Sequence, residues 1–359
     1  MNSKKNEFLT LGVDLGGTKV ESALINAKGS ILVSHRHPTD PEKGAERIID
    51  DVVACVTECL AKGKKKAQAL GIGIAAQVSL TGVVRTSPNL GWKNVPLKTK
   101  LEEKLKLPVV VTNDVRAAAW GEWQFGAGKG IDDLVVLFVG TGVGGSVVSS
   151  GRMLEGCNNS AGELGHTTLI VEGRKCHCPN KGCLEAYAGG WAIAERAQEA
   201  VHDNPVTGEN LISLAGSIEK ITASSVTQAY HEGDQLAFQL VRETAQYLSA
   251  GIVSIINAFN PCLLVLGGGV IEGLPELIKT VETSVKKRAL KPSVEKFKVV
   301  KAALGDKAGI VGAAALARAQ VKKQFVKLNT HKTQKSSEKS FRRSTHKKYR
   351  KRRSEEGKK

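Results

Sequence analysis

The chain has 359 residues, 41% of them hydrophobic, and a formal net charge of +17. That length suits two domains with real cores, and every apolar run stops well short of the ~18 residues a membrane span needs. Seven cysteines, an odd number, speak for thiols in a reducing cytoplasm and against a disulfide framework.

The charge is unevenly spread. Residues 321–359 carry 16 Lys/Arg against three Glu, a balance of +13, which leaves +4 for the rest. From Lys322 the chain is Lys, Arg, Ser, Thr and Gln with few apolar residues, so a disordered basic tail is expected. Such a tail would bind nucleic acid with strong salt dependence, recruit polyphosphate, or simply solvate an extension.

In chain order, the apolar run at the start is cut at Asp14, so no signal peptide is expected. Residues 8–14 read as a buried strand that ends in an acid and the turn Gly16-Gly17-Thr18-Lys19. Strands follow at 20–25 and 30–35. The glycines let backbone N–H groups approach a phosphate closely, and Thr18 and Lys19 add a donor and a charge; a plain tight hairpin is the alternative. The GxxxxGK[ST] spacing of a Walker loop is absent, and a strand stands where its helix should be.

Residues 42–62 have helical periodicity, with Cys55 and Cys59 at core spacing. A strand at 69–75, a segment at 83–86 and a short helix at 97–106 lead to a strand at 108–111. That strand runs into Asn113-Asp114 and a helix. Asp114 is there either an N-cap or an acid/base residue held at a rigid strand end. The strand 134–139 then ends in Gly140-Thr141-Gly142-Val143-Gly144-Gly145 before a strand at 146–149. This repeats the strand, glycine corner, strand order of the N-terminus, and suggests two similar domains facing one phosphate chain.

Between Ala161 and Tyr187 lie Glu163, His166, Cys176, Cys178, Cys183 and Glu185. The histidine and three thiols make a Cys3His set, which closes a tetrahedral zinc without a spare position and so reads as structural. A metal-clamped loop would fix both carboxylates in space, as a rigid polar pocket for a hydroxylated ligand requires. Helices are expected at 191–202, 210–215, 223–231, 234–260, 274–288 and 308–319, with strands at 262–266 and 297–301. The strand at 262–266 runs into Gly267-Gly268-Gly269, which again brings backbone close to a ligand. His35, His37, His202 and His231 are expected to be solvated.

Taken together, these motifs resemble the ROK family of sugar kinases, and among them the glucokinases, from about Leu9 to Ala319. The strongest element is Cys176-x-Cys178-x4-Cys183-Leu184-Glu185-Ala186-Tyr187. It is supported by Glu163-x-x-His166, Asp14-Leu15-Gly16-Gly17-Thr18-Lys19, Asn113-Asp114 and Gly140 to Gly145. The resemblance implies an α/β, two-domain, actin-like (ribonuclease-H-like) fold with ATP and sugar in the interdomain cleft. One domain would be 1–115 completed by helix 306–321, the other 116–305 with the zinc loop.

The resemblance further implies Asp114 as catalytic base and Asn89, Asn113, Asp114, Glu163, His166 and Glu185 as sugar ligands. It places zinc on His166, Cys176, Cys178 and Cys183. Asp14, Gly16, Gly17, Thr18, Lys19, Gly140, Thr141, Gly142 and Gly144 would serve the phosphates and Mg2+, and Gly267, Gly268 and Gly269 the adenosine. The expected activity is ATP-dependent phosphorylation of glucose, with another hexose or polyphosphate as alternatives, in a cytoplasmic dimer or tetramer. Sugar-responsive regulators of the same family carry an N-terminal helix-turn-helix domain, which is not expected here. Two positions depart from the family: Pro179 where Gly is usual, and Ala75-Ala76-Gln77 where Pro-Gly is usual. The second lies near the sugar and bears on substrate choice more than on the reaction.

Overall fold

In the computed structural model, residues 8–322 are described; the expected tail lies outside them apart from Lys322. The first half builds β1 (Thr10–Leu15), β2 (Lys19–Ile25), β3 (Ile31–Pro38), α1 (Gly44–Gly63), β4 (Leu70–Ile74), β5 (Gln77–Val78), β6 (Val84–Ser87) and β7 (Trp92–Val95). Then come α2 (Leu97–Leu105), β8 (Val109–Asn113) and α3 (Asp114–Phe125). The second half builds β9 (Leu134–Val139), β10 (Val143–Ser149), β11 (Arg152–Met153), α4 (Glu185–Ala188), α5 (Gly190–Asp203), α6 (Glu209–Ala215), α7 (Ala223–His231) and α8 (Gln235–Phe259). It ends with β12 (Leu263–Gly267), α9 (Gly269–Gly273), α10 (Glu276–Arg288), α11 (Lys291–Val294), β13 (Lys298–Lys301) and a helix at 308–322.

Two five-stranded sheets share one topology. The orders are β3-β2-β1-β4-β8 and β11-β10-β9-β12-β13. In each, the first three strands form an antiparallel meander, and two parallel strands are added on the other side. The glycine corners therefore fall at equivalent places, between β1 and β2 and between β9 and β10. A third sheet, β5-β6-β7, hangs from the first half. Its strands are two to four residues long, too short to leave an alternating pattern.

The pleat of β1 explains how the closing helix docks. Leu11, Val13 and Leu15 point into the core beneath α1, so Thr10, Gly12 and Asp14 lie on the opposite face. There helix 308–322 approaches so closely that a Cβ on Gly12 would overlap the Ile310 carbonyl. A Cβ on Gly71, the ladder partner of Gly12, would overlap that of Ala313. Gly312 meets the Ala117 carbonyl of α3 in the same way. Glycine is required here by backbone contact and not by dihedral angle. Gly12→Ala is expected to destabilise the fold by about 3 kcal/mol, the upper range for an overpacked core. Chemical denaturation checks this, and an unchanged midpoint would contradict the contact.

The second core surrounds α8, whose Leu248, Ile252 and Ile256 pack on Val135, Leu137, Leu264 and Leu266. Glu122 of α3 is fully buried yet satisfied. Its carboxylate accepts N–H bonds from Ala127, Ala303 and Leu304 at 2.7–3.0 Å, tying α3 to the entry of the closing helix. α3 thus touches both halves, and the expected boundary at 115/116 falls inside it.

Cys55 and Cys59 are buried as expected. The helix expected at 274–288 begins at Glu276, after Pro275, and the short α9 at Gly269–Gly273 precedes it as a separate turn. His202 and His231 are exposed. His35 is not: its Nε2 lies 2.7 Å from Glu58 and its Nδ1 2.7 Å from Lys62. Nor is His37, which is half-buried with Nδ1 2.8 Å from the Pro38 carbonyl. Among the described residues no helix is long and apolar enough to cross a membrane.

Candidate active site

The first corner is closed by the Gly16 N–H donating to the Lys19 carbonyl at 2.9 Å. Thr39 pins it from behind, with Oγ1 donating to the Gly16 carbonyl at 3.1 Å. The second is closed by Gly140 N–H to the Gly142 carbonyl at 2.9 Å, and the first turn of α5 donates to Gly140 and Thr141. Among the described residues no bond takes the N–H groups of Gly17, Thr18, Thr141 or Gly142. Each corner therefore presents a pair of backbone donors, as an anion-binding nest does. β10 begins at Val143, earlier than the expected 146. Gly144 and Gly145 consequently sit in the ladder opposite Phe138 and Leu137. A side chain at Gly144 would press on Val115.

Asp14 and Asp114 are brought together by the register of the first sheet. Asp14 pairs with Gly73 in the parallel ladder. The space above Gly73 is taken by Ala117 Cβ and Asp114 Cα, 3.2 and 3.5 Å from where a Cβ would stand. Asn113, and not Asp114, caps α3, since its side-chain oxygen accepts the Arg116 N–H at 3.0 Å. Asp114 is thereby left free of the capping role.

Burial, the Asp114 charge and Glu21 push the Asp14 carboxyl up to about 6 against the pull of Lys19, and burial raises Asp114 as well. The folded Asp14 carboxyl binds its proton near 6 and the unfolded one near 3.8. Stability therefore falls as pH rises through that window, and the ionised carboxylate costs at most about 3 kcal/mol above it. Asp14→Asn is expected to melt higher than the wild type in metal-free and nucleotide-free buffer at about pH 7.5, with the gap closing toward pH ~4. Equal melting temperatures at neutral pH would contradict the strained pair.

Both aspartates line a 390 Å3 cavity with Gly268, Gly269, Glu272 and Asp306. It adjoins a 690 Å3 cavity that shares Gly269 and is walled by Gly140, Thr141, Trp191 and Thr222. Gly268 has φ +91°, and a Cβ there would meet the Val139 carbonyl; only glycine fits that position. Gly267 packs on Phe138, and Gly269 opens onto both cavities.

Glu163 lines a small 20 Å3 cavity with Asn113, Arg116, Gln77 and Asn159. Glu185 is doubly held: Oε2 accepts the Val143 N–H at 2.8 Å and Oε1 accepts Trp191 Nε1–H at 3.3 Å. It fastens the second glycine corner, and Gly142 is bare because its Cα abuts this carboxylate. Asn89 is exposed and sits by Gly17 at the first corner, outside the small cavity.

Ligand atoms of His166, Cys176, Cys178 and Cys183 all lie within 4.8 Å of one another. Cys178 and Cys183 Sγ are 3.6 Å apart, as are Cys176 Sγ and His166 Nδ1. Tetrahedral zinc with Zn–S of about 2.3 Å and Zn–N of about 2.0–2.1 Å demands edges of ~3.8 and ~3.6 Å. All four residues thus fit a closed zinc site, with Nδ1 as the ring donor and Nε2 left over. Without a metal, burial pushes the Cys176 thiol up to about 12, a state that zinc, which binds thiolates, would reverse. Asn180 Nδ2 donates to Cys183 Sγ at 3.5 Å as an outer support. His177 between the cysteines stacks on Trp191 at 4.0 Å, joining the loop to the larger cavity.

Sequence reasoning missed Trp191, His177, Arg116 and Asn159. Trp191 stands in the first turn of α5, directly after Gly189-Gly190, a signal that could have marked it as a cleft residue. The other three have no local pattern.

Comparison with known proteins adds three likenesses. The chain is 35% identical to the glucokinase of Streptomyces coelicolor over 316 residues, covering 86% of this chain and 98% of that one. It is 36% identical to the N-acetylmannosamine kinase of Escherichia fergusonii over 320 residues, 87% and 99% of the two chains. It also superposes on the crystal structure of a ROK family glucokinase from Streptomyces griseus in complex with glucose and AMPPNP. The TM-score is 0.73 at 36% identity, over 87% of this chain and 99% of that one. Residues 10–320 match the ROK family, and with two equivalent sheets, paired glycine corners and a Cys3His loop in its order, the chain belongs to that family.

Proposed function

We propose that this protein transfers the γ-phosphoryl group of ATP to a hydroxyl of a hexose, glucose first, giving glucose 6-phosphate and ADP with Asp114 as general base. The observation that carries this reading is the pairing of Asp14 and Asp114 in a cavity that adjoins, through Gly269, the one walled by Gly140 and Thr141 of the second glycine corner. Its functional halves are 1–115 with 306–321, and 116–305. The relatives named above support phosphoryl transfer to a sugar, and the glucokinase resemblance favours glucose.

A sugar hydroxyl has a pKa far above neutrality and is a poor nucleophile until its proton is taken. Asp114, raised by burial toward the working pH, accepts that proton as the hydroxyl oxygen bonds to the γ-phosphorus. The bond from the γ-phosphorus to the β,γ-bridging oxygen breaks, and ADP leaves. The remaining demand is positioning and charge stabilisation. The N–H pairs of Gly17–Thr18 and Thr141–Gly142, with Lys19, hold phosphate oxygens. A Mg2+ ion bound with ATP supplies charge at the transferring group, and Asp14 is the carboxylate placed to hold it. Glu163 and Glu185 accept bonds from sugar hydroxyls as charge-assisted contacts, and the free Nε2 of His166 adds a neutral one. The zinc set is structural and fixes the His166 tautomer.

The 36% likeness to an N-acetylmannosamine kinase makes the acylated amino sugar the reading to test against glucose. Gln77, which lines the small cavity where the family has Pro-Gly, is the residue to discriminate them. ADP release is to be measured with glucose, mannose, fructose, N-acetylglucosamine and N-acetylmannosamine, each with ATP and with polyphosphate. Glucose with ATP is expected to give the highest kcat/KM. A higher value for N-acetylmannosamine would transfer the assignment to that sugar.

A further inference from the structure

Two residues after Asp114, the guanidinium of Arg116 is only 7% exposed. It donates to the side-chain oxygen of Asn159, to the Asn159 carbonyl at 3.4 Å and to the Leu154 carbonyl at 2.5 Å. Burial lowers its pKa, partly offset by the charges of Glu155 and Glu163. One fork thus grips both ends of the segment 154–159, a geometry that Arg supplies and Lys does not. Asn159 then reaches onward. Its Nδ2 donates at 3.0 Å to the Val78 carbonyl of β5, 81 positions earlier in the chain. The result is a continuous bridge from α3, through the loop that leads to Glu163, to the small sheet of the first half.

The bridge is flanked by cavities on both sides. Arg116 and Asn159 line the 20 Å3 space with Gln77, Asn113 and Glu163. Behind them lies an 80 Å3 cavity lined by Ser79, Trp120 and Glu155. With empty space at its back, the segment is held against the first half by these hydrogen bonds more than by packing. Glu163 follows Asn159 by four residues, so any shift of the segment moves a proposed sugar ligand.

We infer that Arg116 and Asn159 form a latch that joins the two walls of the hexose pocket and sets its affinity for the sugar. They are positioning residues, and the inference rests on the hexose-kinase reading above. Asn159 has φ +61°, so Asn159→Gly removes the side chain without backbone strain. Asn159→Asp is sharper: it keeps the acceptor for Arg116, now as an ion pair, and replaces the donor to Val78 by an acceptor, so the bond across the pocket is lost.

The experiment measures KM for glucose, KM for ATP, kcat, melting temperature and hydrogen exchange of peptides over 154–163, in the wild type and both variants. Asn159→Asp is expected to raise the glucose KM on the order of 10-fold, the scale of one lost hydrogen bond. KM for ATP and kcat should stay within about twofold, with melting unchanged and exchange over 154–163 faster. A glucose KM within twofold of the wild type, or unchanged exchange, overturns the latch. Should the wild type phosphorylate no hexose, the kinase reading fails instead, and the exchange comparison alone decides whether the bridge holds the segment.

Discussion

Asp114→Asn is expected to lower kcat by at least ~10²-fold, the scale of general-base catalysis, while glucose binding stays within about twofold. Asparagine keeps the shape and one acceptor oxygen of the side chain, so sugar contacts survive, but it cannot accept the hydroxyl proton. The position is not confounded by capping, because Asn113 performs that task through the Arg116 N–H. Stability should hold or rise, since burial already disfavours the Asp114 charge. Calorimetry with glucose and steady-state turnover together check this. A variant with full turnover, or one whose lost activity tracks lost sugar binding, would remove Asp114 from the role of base.

Cys178→Ser should release zinc and with it the sugar. The four ligand atoms form a closed set, and a hydroxyl is a far poorer zinc ligand than a thiolate. Loss of one ligand frees His166, whose Nδ1 faces Cys176, and loosens the stack of His177 on Trp191. We expect metal analysis to fall from about one zinc per chain toward zero and glucose affinity to drop at least ~10-fold. Retained zinc would disprove the ligand assignment. Lost zinc with unchanged glucose affinity would separate the metal from the sugar wall.

Much of this was legible in the sequence because glycine and cysteine punctuate it at the site itself. The corners at Gly16–Gly17 and Gly140–Gly142 and the Asn113-Asp114 pair mark the ends of regular elements, and Cys176, Cys178 and Cys183 cluster in the loop before α4. The start of β10 was misread because Gly144 and Gly145 look like loop, whereas they are bare to admit Val115 and Leu164. Gly12 and Gly71 are unremarkable in sequence, and their meaning appears only when helix 308–322 lands on them. Glu185 reads as a sugar ligand; that it also accepts the Val143 N–H depends on a partner 42 residues away. The Arg116–Asn159–Val78 bridge spans 43 and then 81 positions, and no periodicity or spacing rule reaches that far.

The most direct test of the account is a single assay of sugar phosphate formed from glucose and ATP with Mg2+, read by phosphorus NMR. The account predicts glucose 6-phosphate and ADP in equal amounts, formed by the wild type and reduced at least ~10²-fold by Asp114→Asn. ATP left unconsumed by the wild type, with glucose and with the other hexoses alike, would contradict it.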